Sequence, residues 1–238
     1  MKINAIILAA GKGSRMDSDI PKCAIKIYGK PMILRIIDEL ETIMIDNIIV
    51  VVGYMKEAII NILNDNIKIA VQENQLGTGH AVKCGVEYCE EGLTIVVPGD
   101  IPFINADVFK RLISSHLIYK YDVTVATNVL SDSRNYGRVK RNNNKIIGIV
   151  EAKNATEEEL DIKEINSGLM CFNTDILKEY IDKIEENPIT NEYYLTDIIK
   201  LLNEKNIGSI TYVNDYKLLG INSISDVTKI MEIKNMND

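Results

Sequence analysis

Three cationic side chains, Lys12, Arg15 and Lys22, share one short segment with two glycines, Gly11 and Gly13. The segment reads LAAGKGSRM at residues 8–16, followed by Pro21-Lys22, and it comes directly after an apolar run at residues 3–8. Small residues let a backbone turn tightly and expose its N–H groups. Bare amides and clustered positive charge at the end of a buried strand suit a polyphosphate. Two familiar phosphate loops do not fit. A Walker-type loop needs Gly-Lys-Ser/Thr four residues after its first glycine, and here Lys12 lies between the two glycines. The dinucleotide fingerprint needs a third glycine where Met16 stands. An ordinary glycine-rich strand-to-helix turn is the plain alternative, and it does not account for Arg15 and Pro21-Lys22 in the same register.

A second dense stretch, QENQLGTGHAV, covers residues 72–82. The amide of Gln72 offers a donor and an acceptor, which suits the edge of a pyrimidine. Gly77 and Gly79 permit close backbone approach, and Thr78 is placed to cap a following helix. A capped loop with a solvated Gln is the competing reading. Asp100 ends the apolar run VVPGD, at the sheet edge where α/β proteins hold ligands. Magnesium takes one or two hard protein oxygens and completes its shell with phosphate and water, so Asp100 is a candidate ligand. Pro98, Gly99 and Pro102 around it also compose an ordinary turn. On the acceptor side stand Gly137 in Tyr-Gly-Arg, Glu151 at a strand end and Asn166 in INSG. A carboxylate, an amide and a close N–H can hold the hydroxyls of a hexose, although each residue singly reads as turn or strand-end chemistry. Late in the chain, LLGINS places Asn222 or Ser223 as the cap of a last helix.

The elements that carry these residues alternate in the first half. Strands are predicted at residues 3–8, 47–52, 67–72 and 93–97, with helices at 31–44, 55–63, 79–91 and 105–119. That order predicts an α/β fold, a Rossmann-like and mostly parallel sheet flanked by helices. The second half is less regular. Strands are expected at 123–129, 145–151, 164–172 and 209–213, and helices at 175–186, 194–203 and 224–233, with an acidic TEEEL interruption at 156–160. The expected picture is one domain over residues 1–238, with a nucleotide-binding half to about residue 121 and an acceptor-binding half from 122, joined through one sheet.

Composition bounds the function. The 238 residues are 46% hydrophobic and carry 27 basic against 34 acidic side chains, a net charge of −7. No basic run exceeds two residues, so neither nucleic acid nor an anionic membrane is an expected partner. Four cysteines without a Cys-x-x-Cys pair and only two histidines argue against structural zinc and suit reduced cytoplasmic thiols. With a strand predicted from residue 3, no signal peptide is expected, and the sequence holds no apolar run of about 18 residues.

In order, LAAGKGSRM with Pro21-Lys22, QLGTGHA, Gly99-Asp100, YGR, IVE, INSG, EYYLTD at 192–197 and the late Gly-x-Asn resemble the N-acetylglucosamine-1-phosphate uridylyltransferases, the pyrophosphorylase half of a bacterial bifunctional enzyme. The resemblance spans nearly the whole chain, and QLGTGHA is its most discriminating motif. It implies a nucleotide-diphospho-sugar transferase fold, with UTP and a sugar 1-phosphate as substrates. It further implies that Leu8, Ala9, Ala10, Gly11, Arg15 and Lys22 hold the nucleotide, with Arg15 and Lys22 on its phosphates, and that Gln72, Gly77 and Thr78 read uracil. Asp100 and Asn222 would bind Mg²⁺, and Gly137, Glu151 and Asn166 the amino sugar. Arg15, Lys22 and Asp100 become the catalytic candidates. One departure is Pro98, where the family commonly has an aromatic residue. Another is that the sequence ends at Asp238 without the family's left-handed β-helix, so acetyl transfer and trimer formation are not expected and the oligomeric state stays open. The rivals are the same transfer with another sugar or base, a non-catalytic nucleotide sensor, and a Rossmann dehydrogenase, which the missing third glycine disfavours.

Overall fold

A computed structural model describes residues 1–12, 20–133, 135–202 and 204–237. Arg15 therefore lies outside the described residues. The strands are β1 Lys2–Ala9, β2 Lys26–Ile27, β3 Lys30–Pro31, β4 Asn47–Val52, β5 Lys68–Val71, β6 Gly92–Pro98, β7 Val123–Val129, β8 Arg138–Asn142, β9 Lys145–Val150, β10 Glu164–Asn173 and β11 Ile207–Val213. The helices are α1 Met32–Thr42, α2 Lys56–Ile60, α3 Thr78–Val86, α4 Ala106–Ile118, α5 Glu157–Leu160, α6 Thr174–Ile181, α7 Ile198–Leu201 and α8 Ile224–Asn237. Among the described residues, the main sheet runs β11-β7-β10-β6-β1-β4-β5, with β8 joined to β10 and β9 to β8. β10 is antiparallel to both β6 and β7, and the other strands of that row run one way. The expected mostly parallel sheet with flanking helices is the fold observed.

The layering follows from strand periodicity. Successive side chains point to opposite faces, so Ile7, Val50 and Ile95 pack with Ile33, Ile36 and Leu40 of α1 and Phe109 and Leu112 of α4. Ile6, Val51 and Val96 on the other face pack with Val82 and Val86 of α3, Leu177 of α6 and Ile198 of α7. In α1 the buried residues Ile33, Ile36, Ile37 and Leu40 keep helical spacing, and each contributes about 1.5–3 kcal/mol by burial. No described helix is long and apolar enough to cross a membrane.

Several expected boundaries move for local reasons. The helix expected at 55–63 is confined to α2, because Met55 is left-handed at φ +50°. The one expected at 79–91 ends at Val86, where Tyr88 and Cys89 turn back to the Gly85 and Val86 carbonyls. The one expected at 175–186 ends at Ile181. Residues 195–197 form a 3₁₀ turn before the four-residue α7, in place of a continuous helix from 194. TEEEL folds as α5 under a capping box, in which Thr156 Oγ1 accepts from the Glu159 N–H and the Glu159 carboxylate accepts from the Thr156 N–H. The strand β8, which the pattern did not predict, pairs with β9 across Asn143 and Asn144, both at positive φ, the two-residue turn that hairpins favour.

One polar residue ties the amino ends of three strands. Asn4 is fully buried, and its amide donates to the Glu90 and Leu93 carbonyls at 2.9 Å each. Its Oδ1 accepts from the Glu90 N–H at 3.0 Å and the Asn47 amide at 3.1 Å. Asn4→Ala strands these buried partners, so it is expected to lower the unfolding free energy by on the order of 3 kcal/mol, read by urea denaturation. A loss below about 1 kcal/mol would show that the network contributes little.

Candidate active site

The carboxyl ends of β1, β4 and β6 meet at one rim. The Gly99 N–H donates to the Leu8 carbonyl at 2.9 Å, and the Tyr54 N–H to the Ala10 carbonyl at 3.2 Å. A cavity of about 620 Å³ opens there. Leu8, Ala10, Gly11 and Lys12 line it from the first loop, and Gln72, Gly77 and Thr78 from the second. Asp100 and Asn222 line the same cavity, as do Gly137, Glu151 and Asn166. Ala9, expected with the first loop, instead packs in the core, because alternation along β1 turns its methyl away from the cavity.

Lys22 is presented by a 3₁₀ turn over residues 22–24. Pro21 leads into it at φ −58°, and Cys23 anchors it in the core. The Lys22 ammonium donates to the Asp100 carboxylate and, at 2.7 Å, to Asn222 Oδ1. Cys23 lies beneath, its thiol pushed up to about 12 by burial and by the nearby Asp100, and so it is held as an unreactive neutral thiol. Ser223 caps α8, its hydroxyl accepting from the Asp226 N–H at 3.3 Å, while the Asn222 N–H donates to Asp226 Oδ2 at 2.8 Å. The capping expected of Asn222 or Ser223 thus falls to Ser223, and the Asn222 amide is turned to the cavity. Tyr136, part of the Tyr-Gly-Arg signal, fixes the same loop by accepting from the Gly220 N–H at 2.9 Å, a role its sequence position does not show.

Two hard oxygens, Asp100 Oδ2 and Asn222 Oδ1, therefore converge on one cationic atom. This donor set fits a small divalent ion that takes few protein ligands and completes its shell with phosphate and water. Among the described residues, no group of three or more His, Cys, Asp or Glu side chains could hold a metal alone.

The second loop is organised differently from the sequence expectation. Thr78 opens α3, yet its hydroxyl accepts from the Leu195 N–H at 3.0 Å and makes no cap. Gln72 is buried, and its Nε2 donates to the Gly77 carbonyl and pairs with His80 Nδ1, each at 3.0 Å. With Nδ1 accepting, the amide spends both hydrogens on the loop, and Oε1 is left as its acceptor. Gly77 has φ +103°, and a Cβ there would lie 2.5 Å from the Tyr193 carbonyl oxygen.

Gly137 directly precedes β8, Glu151 directly follows β9, and Asn166 lies in β10. Pairing of β10 with β7 shifts between Asn166 and Met170. In this irregularity Gly168, at φ +81°, lets the Pro98 ring come within 2.6 Å of where a Cβ would sit. Asn166 Oδ1 accepts from the Gly168 N–H at 3.1 Å, which leaves Nδ2 as the side chain's donor. Pro98, the departure noted above, thus fills this bulge. Glu151 accepts a hydrogen bond from Thr196 at 2.8 Å. Burial pushes its carboxyl above the usual range, aided by Asp197 and Glu192 and opposed by the Thr196 hydroxyl and Lys153. Thr196 also lines the cavity, and its only sequence signal was EYYLTD.

Comparison with known proteins gives consistent relatives. The family model of MobA-like NTP transferase domains matches residues 5–134. The bifunctional protein GlmU of Carboxydothermus hydrogenoformans is 44% identical over 223 residues, covering 92% of this chain and 50% of that protein. GlmU of Clostridioides difficile is 41% identical over 237 residues, covering 98% and 52%. The chain thus spans about half the length of these curated relatives. Among solved structures, a UDP-glucose pyrophosphorylase complexed with UDP-glucose superposes with a TM-score of 0.76 at 18% identity, covering 100% of both chains. A putative glucose-1-phosphate thymidylyltransferase from Bacillus anthracis in complex with sucrose gives 0.75 at 18%, covering 96% of this chain and 93% of that one. The two structures share the fold.

The raised Glu151 carboxyl sets a pH dependence. A carboxyl that titrates higher folded than unfolded contributes stability present below the unfolded value and lost as pH rises through the folded one. Glu151→Gln removes that loss. The variant is expected to melt above the wild type at about pH 8 and to converge with it near pH 4, where the unfolded carboxyl protonates. Thermal melts across that range test this; a constant offset at all pH values would contradict the assignment.

Proposed function

The chain belongs to the family of MobA-like NTP transferase domains, and from that premise we propose that it transfers UMP from UTP to N-acetylglucosamine 1-phosphate, giving UDP-N-acetylglucosamine and pyrophosphate. The observation that carries this reading is the convergence of both glycine-bearing loops, Lys22, Asp100 and the acceptor-side residues on one cavity. The curated GlmU relatives, matched over nearly all of this chain, support the choice of base and sugar. Residues up to about 121 form the nucleotide half and the remainder the sugar-phosphate half. Free thiols at all four cysteines support a reducing, cytoplasmic setting.

In this reading a phosphate oxygen of the sugar 1-phosphate attacks the α-phosphorus of UTP. The new P–O bond forms as the bond to the β-phosphate oxygen breaks, and pyrophosphate carries away the electron pair. The nucleophile is already anionic, so no side chain has to remove a proton. Alignment and charge neutralisation are what the protein supplies. Lys22 places an ammonium where phosphate charge collects, and Arg15 is assigned the same task from its place in the first loop. Asp100 and Asn222 would hold Mg²⁺, which when bound offsets phosphate charge as a Lewis acid. Leu8, Ala10 and Gly11 form the nucleotide wall, where Gln72 Oε1 would accept from uracil N3–H beside Gly77 and Thr78. Gly137, Glu151 and Asn166 would bond the amino sugar.

Turnover assays on the wild type and two variants check this reading. Pyrophosphate should appear from UTP plus N-acetylglucosamine 1-phosphate with Mg²⁺ and not without it, and Asp100→Ala should lower the rate at least about 100-fold with the melting profile retained. Unchanged turnover in Asp100→Ala removes the metal assignment. A panel of other triphosphates and sugar phosphates turning over faster replaces the substrate pair. Gln72→Ala should reduce the preference for UTP over CTP by about tenfold, since one hydrogen bond to the base is lost. Unchanged selectivity would assign base reading elsewhere.

A further inference from the structure

The EYYLTD segment has so far no part in the chemistry, yet it touches both walls of the cavity. From one edge it grips the second loop. The Tyr193 N–H donates to the Leu76 carbonyl and the Gly79 N–H to the Tyr193 carbonyl, both at 2.7 Å, and the Leu195 N–H donates to the Thr78 hydroxyl at 3.0 Å. The contact is close enough that a Cβ on Gly77 would collide with the Tyr193 backbone. From its other end the segment reaches the acceptor wall, where buried Thr196 donates to Glu151 Oε1 at 2.8 Å. It continues into α7, whose Ile198 and Ile199 are buried in the core cluster that also contains Val82 of α3 and Ile149 of β9. The mount is therefore stiff, and the second loop and the Glu151 carboxylate share it.

We infer that residues 192–196 form a strap between the nucleotide and sugar walls, and that Thr196 is a positioning residue that fixes the Glu151 carboxylate for the acceptor. The inference deepens the proposed function and rests on it for the identity of the acceptor. Thr196 holds one carboxylate oxygen, so the other is directed by a bond that does not depend on substrate. A hydroxyl donor also stabilises the ionised form, in opposition to burial and to Asp197 and Glu192, and on the same side as Lys153. Loss of the hydroxyl then has two consequences: the carboxyl titrates higher still, and its orientation is no longer set before the sugar phosphate arrives.

The test uses Thr196→Val, which keeps shape and removes the hydroxyl, and Thr196→Ser, which restores it. Thr196→Ala replaces the Val variant if that chain does not fold. In ¹³C-carboxyl NMR titrations without substrate, the Glu151 transition should move up in Thr196→Val and coincide with the wild type in Thr196→Ser. In steady-state kinetics, KM for N-acetylglucosamine 1-phosphate should rise about tenfold in Thr196→Val, with KM for UTP within about twofold and Ser close to the wild type. A Glu151 titration that ignores the hydroxyl overturns the inference. So does a kinetic defect that falls equally on both substrates, or one that Ser does not rescue, since those mark a merely structural residue. A wild-type chain that releases no pyrophosphate defeats the functional reading instead, and the titration then decides the Thr196–Glu151 link by itself.

Discussion

The contact of the Lys22 ammonium with Asp100 and Asn222 is the constraint on which the cavity depends. It joins residues 78 and 200 positions apart in the chain. Each partner comes from a different kind of support: a 3₁₀ turn anchored by buried Cys23, the end of a central parallel strand, and the loop before α8. Bringing an ammonium, a carboxylate and an amide oxygen together at the edge of a sheet satisfies all three without a hydrophobic cover. Part-buried charged bonds of this kind are stronger than neutral ones. The arrangement also fixes the place in the cavity where the two oxygens hold a cation.

The antiparallel strand β10 makes a two-sided cavity possible. Inserted between β6 and β7, it brings the second half of the chain against the carboxyl edge that the first half builds. Its irregular pairing near Gly168 places Asn166 at the rim, close to the Pro98 that ends β6. A regular parallel strand in this place would leave no bulge to turn that amide. The 192–196 segment then joins the second loop to Glu151, so these parts of the lining are held by backbone hydrogen bonds and by side chains from distant positions.

Much of this was legible in the letters where the governing interactions are local. The buried strands at 47–52 and 123–129 were read with their observed limits, because continuous β-branched runs between polar turns have few other solutions. Asn105 as the start of α4 was equally local, its side chain accepting from the Val108 N–H. Thr78 shows where this fails. A threonine at the mouth of a helix reads as a cap, but the Leu195 N–H, 117 residues away, takes the hydroxyl. Tyr136 and Thr196 stood in the motifs YGR and EYYLTD, but their roles were hidden, since their partners lie 84 and 45 residues off. The strand β8 was visible in principle, through the paired asparagines of its turn, but its polar sequence hid the pairing.

On the proposed reading a chain with net charge −7 holds a triphosphate, and the placement of its charges bears on how. Many of its acids are spent on surface pairs, such as Asp46 with Lys2 and Asp182 with Lys83, where screening keeps their reach short. The cavity lining carries Lys12 and Lys22 together with Asp100, Asp226, Glu151 and Glu192, and Lys22 is paired with Asp100. Glu151, at the acceptor wall, is the carboxylate that burial biases toward its neutral form. On the proposed reading, Lys12, Lys22 and a cation held by Asp100 and Asn222 meet the phosphates, and a hydrogen-bonding carboxyl meets the sugar. Two anionic substrates can then meet in one cleft of an acidic protein, because affinity for phosphate is set within about one Debye length, roughly 8–10 Å, rather than by the sum over the chain.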